Sequence, residues 1–130
     1  MTLRVSVWRG GAEGRFEEFE IPRRESQTVL DAVTYIQRHL DPTLSYRFAC
    51  RVGMCGSCAM TVNGKPRWTC RTHVDKVARD GTLRVAPLSN LPVVKDLVAD
   101  MGLKPVMLIV IETLLLAGMV LAVLAWHRPA

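Results

Sequence analysis

The segment Cys50–Cys58 reads CRVGMCGSC, and a fourth cysteine, Cys70, follows it after eleven further residues. These four are the only cysteines in the chain, and their spacing is C-x4-C-x2-C-x11-C. Cysteine thiolates are metal ligands and redox groups, so a chain that gathers all of its cysteines in one tract concentrates that chemistry there.

The spacing of the cysteines indicates which metal centre the tract holds. C-x4-C-x2-C followed by a more distant cysteine is the ligand pattern of a plant-type [2Fe–2S] cluster, in which four thiolates bind two irons. Such a cluster carries one electron at a time, so the tract predicts electron transfer, with no catalytic residue in this chain. The predicted ligands, for cofactor and metal alike, are Cys50, Cys55, Cys58 and Cys70.

The residues between the cysteines suit a loop that wraps an anionic cofactor. Gly53 and Gly56 stand where the backbone needs positive φ and close approach to aim N–H groups at sulfur. Ser57 lies between two ligands, where its N–H or hydroxyl could bond to a sulfur and tune the potential. Arg51 is a cation within the tract, and further candidate cations are Arg47, Lys65, Arg67 and Arg71. Each of these basic residues can equally belong to a solvated surface.

Three other uses of the cysteines compete with a cluster. Disulfides need an oxidising compartment, and the opening residues MTLRV show strand-like alternation where a secretory signal would stand. A redox C-x-x-C at Cys55 and Cys58 leaves Cys50 and Cys70 unexplained. An all-cysteine zinc site usually draws its ligands from two short-spaced pairs, of which this chain has one. Zinc remains the open alternative to iron and sulfur.

A second strong signal lies at residues 105–126, which read PVMLIVIETLLLAGMVLAVLAW. Apart from Glu112 and Thr113 the segment is apolar, and as a helix it would reach about 33 Å, enough to cross the hydrocarbon core. The sequence therefore predicts a single transmembrane helix over residues 104–127, which begins at Lys104-Pro105 and ends near the interfacial Trp126. Glu112 is an ionisable residue within the span, so it suggests a proton path, a quinone contact or a polar partner, or it snorkels.

Charge and targeting signals bear on partners and localisation. The net charge of +5 is spread along the chain, which weighs against nucleic-acid binding and favours acidic partner surfaces or anionic lipid. With no leader recognised, we expect the cluster domain to stay where it is made. The resulting prediction is a single-pass, tail-anchored protein of a bacterial-type inner membrane, with the cluster domain on the cytoplasmic side.

The residues before the apolar segment predict a mixed α+β domain. Alternating and helical hydrophobic patterns indicate strands at 2–9, 15–21, 59–63, 67–69 and 82–86, a helix at 29–40 capped by Thr28, and a short helix near 93–100. Asn63-Gly64 predicts a tight hairpin. Trp68, close to Cys70, packs either over the cluster or in the small core, and we expect it in the core. A hairpin, a crossing helix and further strands form the order of a β-grasp. The predicted domains are a β-grasp at 1–92, a short helix and connector at 93–103, and the transmembrane helix at 104–127.

Two stretches of the sequence indicate a particular protein family. CAMTVNGKPRWTC at 58–70, with its short gap to the fourth cysteine, and PLSNLPVVKDLVADM at 87–101 resemble the N-terminal [2Fe–2S] domain of the iron–sulfur subunit of succinate dehydrogenase and fumarate reductase. The resemblance covers residues 1 to about 103 and implies a ferredoxin-like β-grasp fold. It also implies an FAD-containing partner subunit, faced by Arg47–Cys58.

The sequence also departs from that family. In that family a second domain carries further cysteines, which hold clusters that pass electrons toward quinone. The present sequence shows no counterpart of those cysteines. We therefore expect the electron to leave for quinone or haem in another membrane-anchor subunit. The resulting functional prediction is an electron-transfer subunit of a membrane-bound flavoprotein oxidoreductase. The alternatives are a membrane-tethered ferredoxin that serves an oxygenase or reductase, and a zinc-stabilised membrane adaptor.

Overall fold

A computed structural model describes residues 1–102 and 104–126, and for residues 104–111 it describes the backbone alone. The chain forms two compact units, Met1–Asp100 and Met101–Ala130. The first unit continues past residue 92, where the sequence placed the end of the domain.

The first unit is the predicted mixed α+β domain. Its elements are β1 (Thr2–Arg9), β2 (Arg15–Pro22), α1 (Val29–His39), β3 (Ala59–Val62), β4 (Lys65–Trp68), α2 (Val74–Val77), β5 (Thr82–Ala86), β6 (Val93–Lys95) and β7 (Val98–Ala99). The main sheet has the strand order β2-β1-β5-β3-β4, with β1 and β5 parallel and the other neighbours antiparallel. Strands β1 to β5 and helix α1 lie within a few residues of the predicted positions, whereas α2 was not predicted.

One face of the sheet is covered by α1. Alternate residues of β1 point inward, and Leu3, Val5 and Val7 are fully buried. They share a single hydrophobic core with the apolar stripe of α1, which includes Val33 and Ile36. The helix begins at the predicted cap, where a reciprocal capping box satisfies the first free N–H groups.

The β3–β4 hairpin carries the third and fourth cysteines. Its two-residue turn is Asn63-Gly64, and both residues have positive φ, as a type I′ turn requires. The hairpin register sets Ala59 opposite Trp68, so Cys58 and Cys70 flank the open end of the hairpin. The fold thereby brings together two cysteines that have eleven residues between them in the sequence.

The short helix predicted near residues 93–100 is wrong, because this segment forms the antiparallel β6–β7 pair. At its turn Asp96 has a φ of 52° and is buried. The Asp96 carboxylate accepts hydrogen bonds from Gly10 N (2.7 Å), Ser45 N (2.9 Å) and Arg9 Nη1 (3.1 Å). A buried carboxylate needs such partners, and the left-handed backbone that reaches them is incompatible with a helix.

The second unit contains α3, which runs from Lys104 to Trp126. Taken over the described residues, no helix is both long and apolar enough to cross a membrane. The predicted transmembrane helix of residues 104–127 has no support from the described residues. That prediction also covers the side chains of residues 104–111 and residue 127, which lie outside the described part of the chain.

Candidate metal centre

The four predicted ligands lie on three structural features. Cys50 and Cys55 belong to the loop between α1 and β3, Cys58 directly precedes β3, and Cys70 follows β4. All four are free thiols. Cys50 is half-buried and Cys55 is exposed, and we call these two the outer pair. Cys58 and Cys70, which we call the inner pair, are 3% and 8% exposed.

The outer pair is surrounded by backbone N–H groups. Cys50 Sγ accepts hydrogen bonds from the N–H groups of Val52 (3.4 Å), Met54 (3.3 Å) and Cys55 (3.3 Å). The loop can converge on one sulfur because Arg51 and Gly53 adopt positive φ values of 57° and 78°. These hydrogen bonds, with that of Cys55 the strongest, lower the pKa of Cys50 to about 6. The loop therefore favours a negatively charged sulfur.

Two neighbours in the tract affect Cys55. The N–H of Cys50 donates to Cys55 Sγ at 3.5 Å. The Cys50 N–H, followed by the Ser57 hydroxyl, lowers the pKa of the Cys55 thiol. Gly56, between Cys55 and Ser57, has a φ of 71°. That Ser57 bonds to a ligand sulfur and tunes the potential stays a prediction.

The inner pair lies in a drier environment. Cys58 and Cys70 pack with Leu30 of α1, and Tyr46 covers this small cluster. Burial raises the pKa of the Cys70 thiol, and the neighbouring Cys58 raises it further. The inner pair is thus held by the scaffold, because Thr69 Oγ1 donates to Cys58 O at 2.8 Å and Leu30 N donates to Thr69 O at 3.1 Å.

Gly53 links the outer loop to the inner pair. Its backbone N–H lowers the pKa of the Cys70 thiol, against the larger effect of burial. A Cβ atom at Gly53 would lie 2.8 Å from Arg71 Cγ and 3.4 Å from Trp68 Cε3. Trp68 is 53% exposed, so its predicted place in the core is wrong. Sequence spacing gave no signal for the packing of Arg71 and Trp68 on Gly53.

The rim of the centre is apolar and basic. Phe48, Val52, Met54 and Trp68 are exposed apolar side chains. The Arg51 guanidinium lies over the Phe48 ring, 4.5 Å from its centroid. Within the part of the chain that the structure describes, the five predicted cations form no ion pair: Arg47, Arg51, Lys65, Arg67 and Arg71.

The donor set of four cysteine thiols fits a two-iron cluster. Among the described residues, no three His, Cys, Asp or Glu side chains are grouped to hold one metal ion. A [2Fe–2S] cluster takes four cysteine ligands, which are divided between its two irons. Two thiol pairs, joined through Gly53 and supplied with N–H donors, match that division and the negative charge of the cofactor.

Comparison with known proteins agrees with this geometry. The family model described as "2Fe-2S iron-sulfur cluster binding domain" matches residues 2–103. The fumarate reductase iron-sulfur subunit of Mycobacterium tuberculosis is 43% identical over 104 residues, which are 78% of this chain and 42% of that protein. The corresponding subunit of Haemophilus influenzae is 40% identical over 90 residues, 69% of this chain and 34% of that one.

A solved structure gives the same result for the fold. A chain of the Mycobacterium smegmatis Sdh1 complex in the apo form superposes with a TM-score of 0.73 and 34% identity, covering 77% of this chain and 42% of that chain. The chain thus spans less than half the length of the relatives it matches. Because the family model covers the whole first unit, the chain belongs to the family of 2Fe-2S iron-sulfur cluster binding domains, of the kind found in fumarate reductase and succinate dehydrogenase iron–sulfur subunits.

Proposed function

We propose that this chain is the [2Fe–2S] electron-transfer subunit of a membrane-bound flavoprotein oxidoreductase complex similar to succinate dehydrogenase and fumarate reductase. It relays single electrons between the FAD of a partner subunit and a membrane acceptor, quinone or haem. The observation that carries the proposal is the pairing of four free thiols within a family whose domain binds a 2Fe-2S cluster. The proposed ligands are Cys50, Cys55, Cys58 and Cys70.

The chain's own residues hold the cofactor and adjust its electrostatics. A bound [2Fe–2S] cluster supplies reversible one-electron chemistry. The N–H groups directed at Cys50 and the Ser57 groups at Cys55 stabilise negative charge on sulfur, which favours the reduced form. The buried inner pair fixes the cluster to the sheet and limits access of water on that side.

The apolar rim supports a protein partner on the outer side. Exposed side chains of Phe48, Val52, Met54 and Trp68 surround the tract, and covering them removes apolar surface from water. A flavoprotein face at this rim would exclude water and fix the separation of the two cofactors, which an electron relay requires.

The membrane attachment is proposed from the sequence. Residues 105–126 are apolar except for Glu112 and Thr113, and α3 is helical over Lys104–Trp126. We assign this segment as a single-pass anchor in a bacterial-type inner membrane beside other anchor subunits, with the cluster domain cytoplasmic. The full chain, expressed without partners, should fractionate with membranes, and a chain truncated after Met101 should not. If both fractionate alike, the anchor assignment fails.

The test of the function is spectroscopic and stoichiometric. The purified full chain should contain two irons and two acid-labile sulfides per polypeptide, which is the composition of a [2Fe–2S] cluster, and give an EPR signal after reduction. A complex isolated with the chain should contain FAD in a one-to-one ratio, and reduction of that flavin should produce the same signal. A colourless zinc protein contradicts the cluster, and a cluster protein without an FAD subunit contradicts the complex.

A further inference from the structure

A concave pocket adjoins the metal centre on the exposed side of α1. Its volume is about 290 Å³, and its lining includes Arg24 before the helix, Arg38 and His39 at the end of the helix, and Arg51 from the cysteine tract. We refer to these four residues and the space between them as the basic pocket. It shares Arg51 with the tract, so a molecule bound here lies next to the outer pair.

The arginines of the basic pocket lack acidic partners. Four arginines outside the pocket form ion pairs: Arg4, Arg9, Arg15 and Arg23. Within the described residues Arg24, Arg38 and Arg51 form none. Two carboxylates also line the pocket, but that of Asp31 is engaged by the N–H of Thr28 at 3.0 Å in the helix cap. Two carboxylates therefore face three guanidinium groups, which leaves the pocket with a net positive charge.

Aromatic rings hold two of these arginines in position. The Arg24 guanidinium carbon lies 5.7 Å from the centroid of the Tyr35 ring, and that of Arg51 lies 4.5 Å from the Phe48 ring. Tyr35 in turn stacks on His39 with centroids 4.3 Å apart. A guanidinium held over a ring loses less conformational freedom on binding, and its planar fork matches a carboxylate. The pocket is therefore prepared for an anionic group.

We propose that the basic pocket docks an acidic segment of the flavoprotein subunit and so orients that subunit over the cysteine tract. The inference rests on the proposed function and adds a recognition surface to it. Charge complementarity supports this occupant, because a chain of net charge +5 presents unpaired arginines beside the exposed apolar rim. Carboxylates at this position would form bidentate hydrogen bonds with the guanidinium groups and leave the rim free to pack on the same partner.

The test uses charge reversal with a matched control. The pocket variant is Arg24→Glu with Arg38→Glu, and the control is Lys76→Glu with Arg79→Glu, two exposed cations outside the pocket. Both variants change the net charge equally, and neither alters a cysteine or Arg51. The association rate of each full chain with the isolated FAD subunit is measured at low and high salt. We expect a loss of about tenfold or more at low salt for the pocket variant and a much smaller loss for the control.

The outcomes distinguish a failure of the docking proposal alone from a failure of the proposed function. If the unaltered chain does not bind the FAD subunit, both proposals are overturned. If it binds and the two variants lose rate equally, the pocket proposal alone is overturned. Dimers of the unaltered chain that dissociate in the pocket variant would assign the pocket to a second copy and overturn it. Should charge reversal prevent folding, Arg24→Gln with Arg38→Gln must give a smaller loss in the same direction, with an unchanged EPR spectrum.

Discussion

The outer and inner cysteine pairs have the same chemistry but opposite surroundings. Cys50 and Cys55 lie on an irregular loop, where N–H groups converge on sulfur and lower the pKa of both thiols. Cys58 and Cys70 flank a hairpin, where they are buried, and burial raises the pKa of Cys70. The same fold therefore offers a charged, accessible side and a dry, anchored side to one cofactor.

Because of this difference, we expect the inner pair to serve assembly and stability and the outer pair to set redox properties. The inner pair shares its packing with α1 and the sheet, so its position depends on the stability of the whole domain. The outer pair depends on local loop conformation and on a few hydrogen bonds, which determine the charge that its sulfurs tolerate. We expect changes at the inner pair to damage assembly and stability, and changes around the outer pair to alter redox properties.

The largest effect is expected from Cys70→Ala compared with Cys55→Ala. Each variant removes a proposed ligand, so both should lose the [2Fe–2S] EPR signal and visible absorption. Cys70→Ala also leaves a cavity in the buried cluster with Leu30, which should lower the stability of the apo domain by about 1 kcal/mol, whereas the exposed Cys55 should cost much less. The check is EPR together with chemical denaturation of the apo-proteins. A full EPR signal in Cys70→Ala would refute its role as a ligand.

A second change weakens the scaffold without touching a thiol. Asp96→Ala leaves Arg9 paired with Asp41 at 2.9 Å but removes the acceptor for the N–H groups of Gly10 and Ser45. Unfolding free energy should fall by about 3 kcal/mol, because buried donors lose their partners. The measurement is chemical denaturation, with the exposed Glu18→Ala as the control. An unchanged EPR spectrum is expected, and a changed spectrum would contradict the separation of tasks.

The hydrogen bonds of Asp96 also explain why the sequence did not predict the conformation of residues 93–100. Strands β1, β2 and β5 and helix α1 show hydrophobic periodicity and a cap, and these are local signals. Residues 93–100 were assigned to a helix because their apolar spacing permits one. Their actual conformation depends on contacts with Gly10 and Ser45, more than 50 residues away in sequence. Such tertiary contacts override local preference and leave no periodic pattern.

The candidate site also contains residues that local sequence signals predict and residues that only the fold brings together. The cysteines, Gly53, Gly56 and Ser57 were predictable, because cluster ligation imposes a characteristic spacing and loop geometry on contiguous residues. Trp68 was assigned to the core on hydrophobicity, although it lies exposed against Gly53. The basic pocket escaped prediction because Arg24, Arg38 and Arg51 come from a loop, a helix and the tract, and only the fold brings them together.

The two tract glycines allow the link between the pairs to be tested. Gly56→Ala adds a side chain in open space, so it should cost only the strain of positive φ, about 1 kcal/mol. Gly53→Ala carries the same strain and also places Cβ 2.8 Å from Arg71 Cγ, so a total near 2 kcal/mol is expected. Thermal loss of visible absorption should occur at a lower temperature in Gly53→Ala. Equal midpoints would mean that the packing on Gly53 does not stabilise the centre.

The smallest effect is expected from Ser57→Ala, which acts on the outer pair alone. The variant removes the hydroxyl donor to Cys55 but keeps the backbone N–H of residue 57. Reduction adds negative charge to the cluster, so a lost donor destabilises the reduced state and lowers the midpoint potential. The shift should be small, because the other donors to the outer pair remain in place. An EPR-monitored redox titration measures it, with Ser57→Thr as the variant that retains a hydroxyl. The comparison of the pairs requires a lower potential in Ser57→Ala, recovery in Ser57→Thr and unchanged protein stability in both, since Ser57 belongs to the loop and contributes nothing to the packing around Cys58 and Cys70.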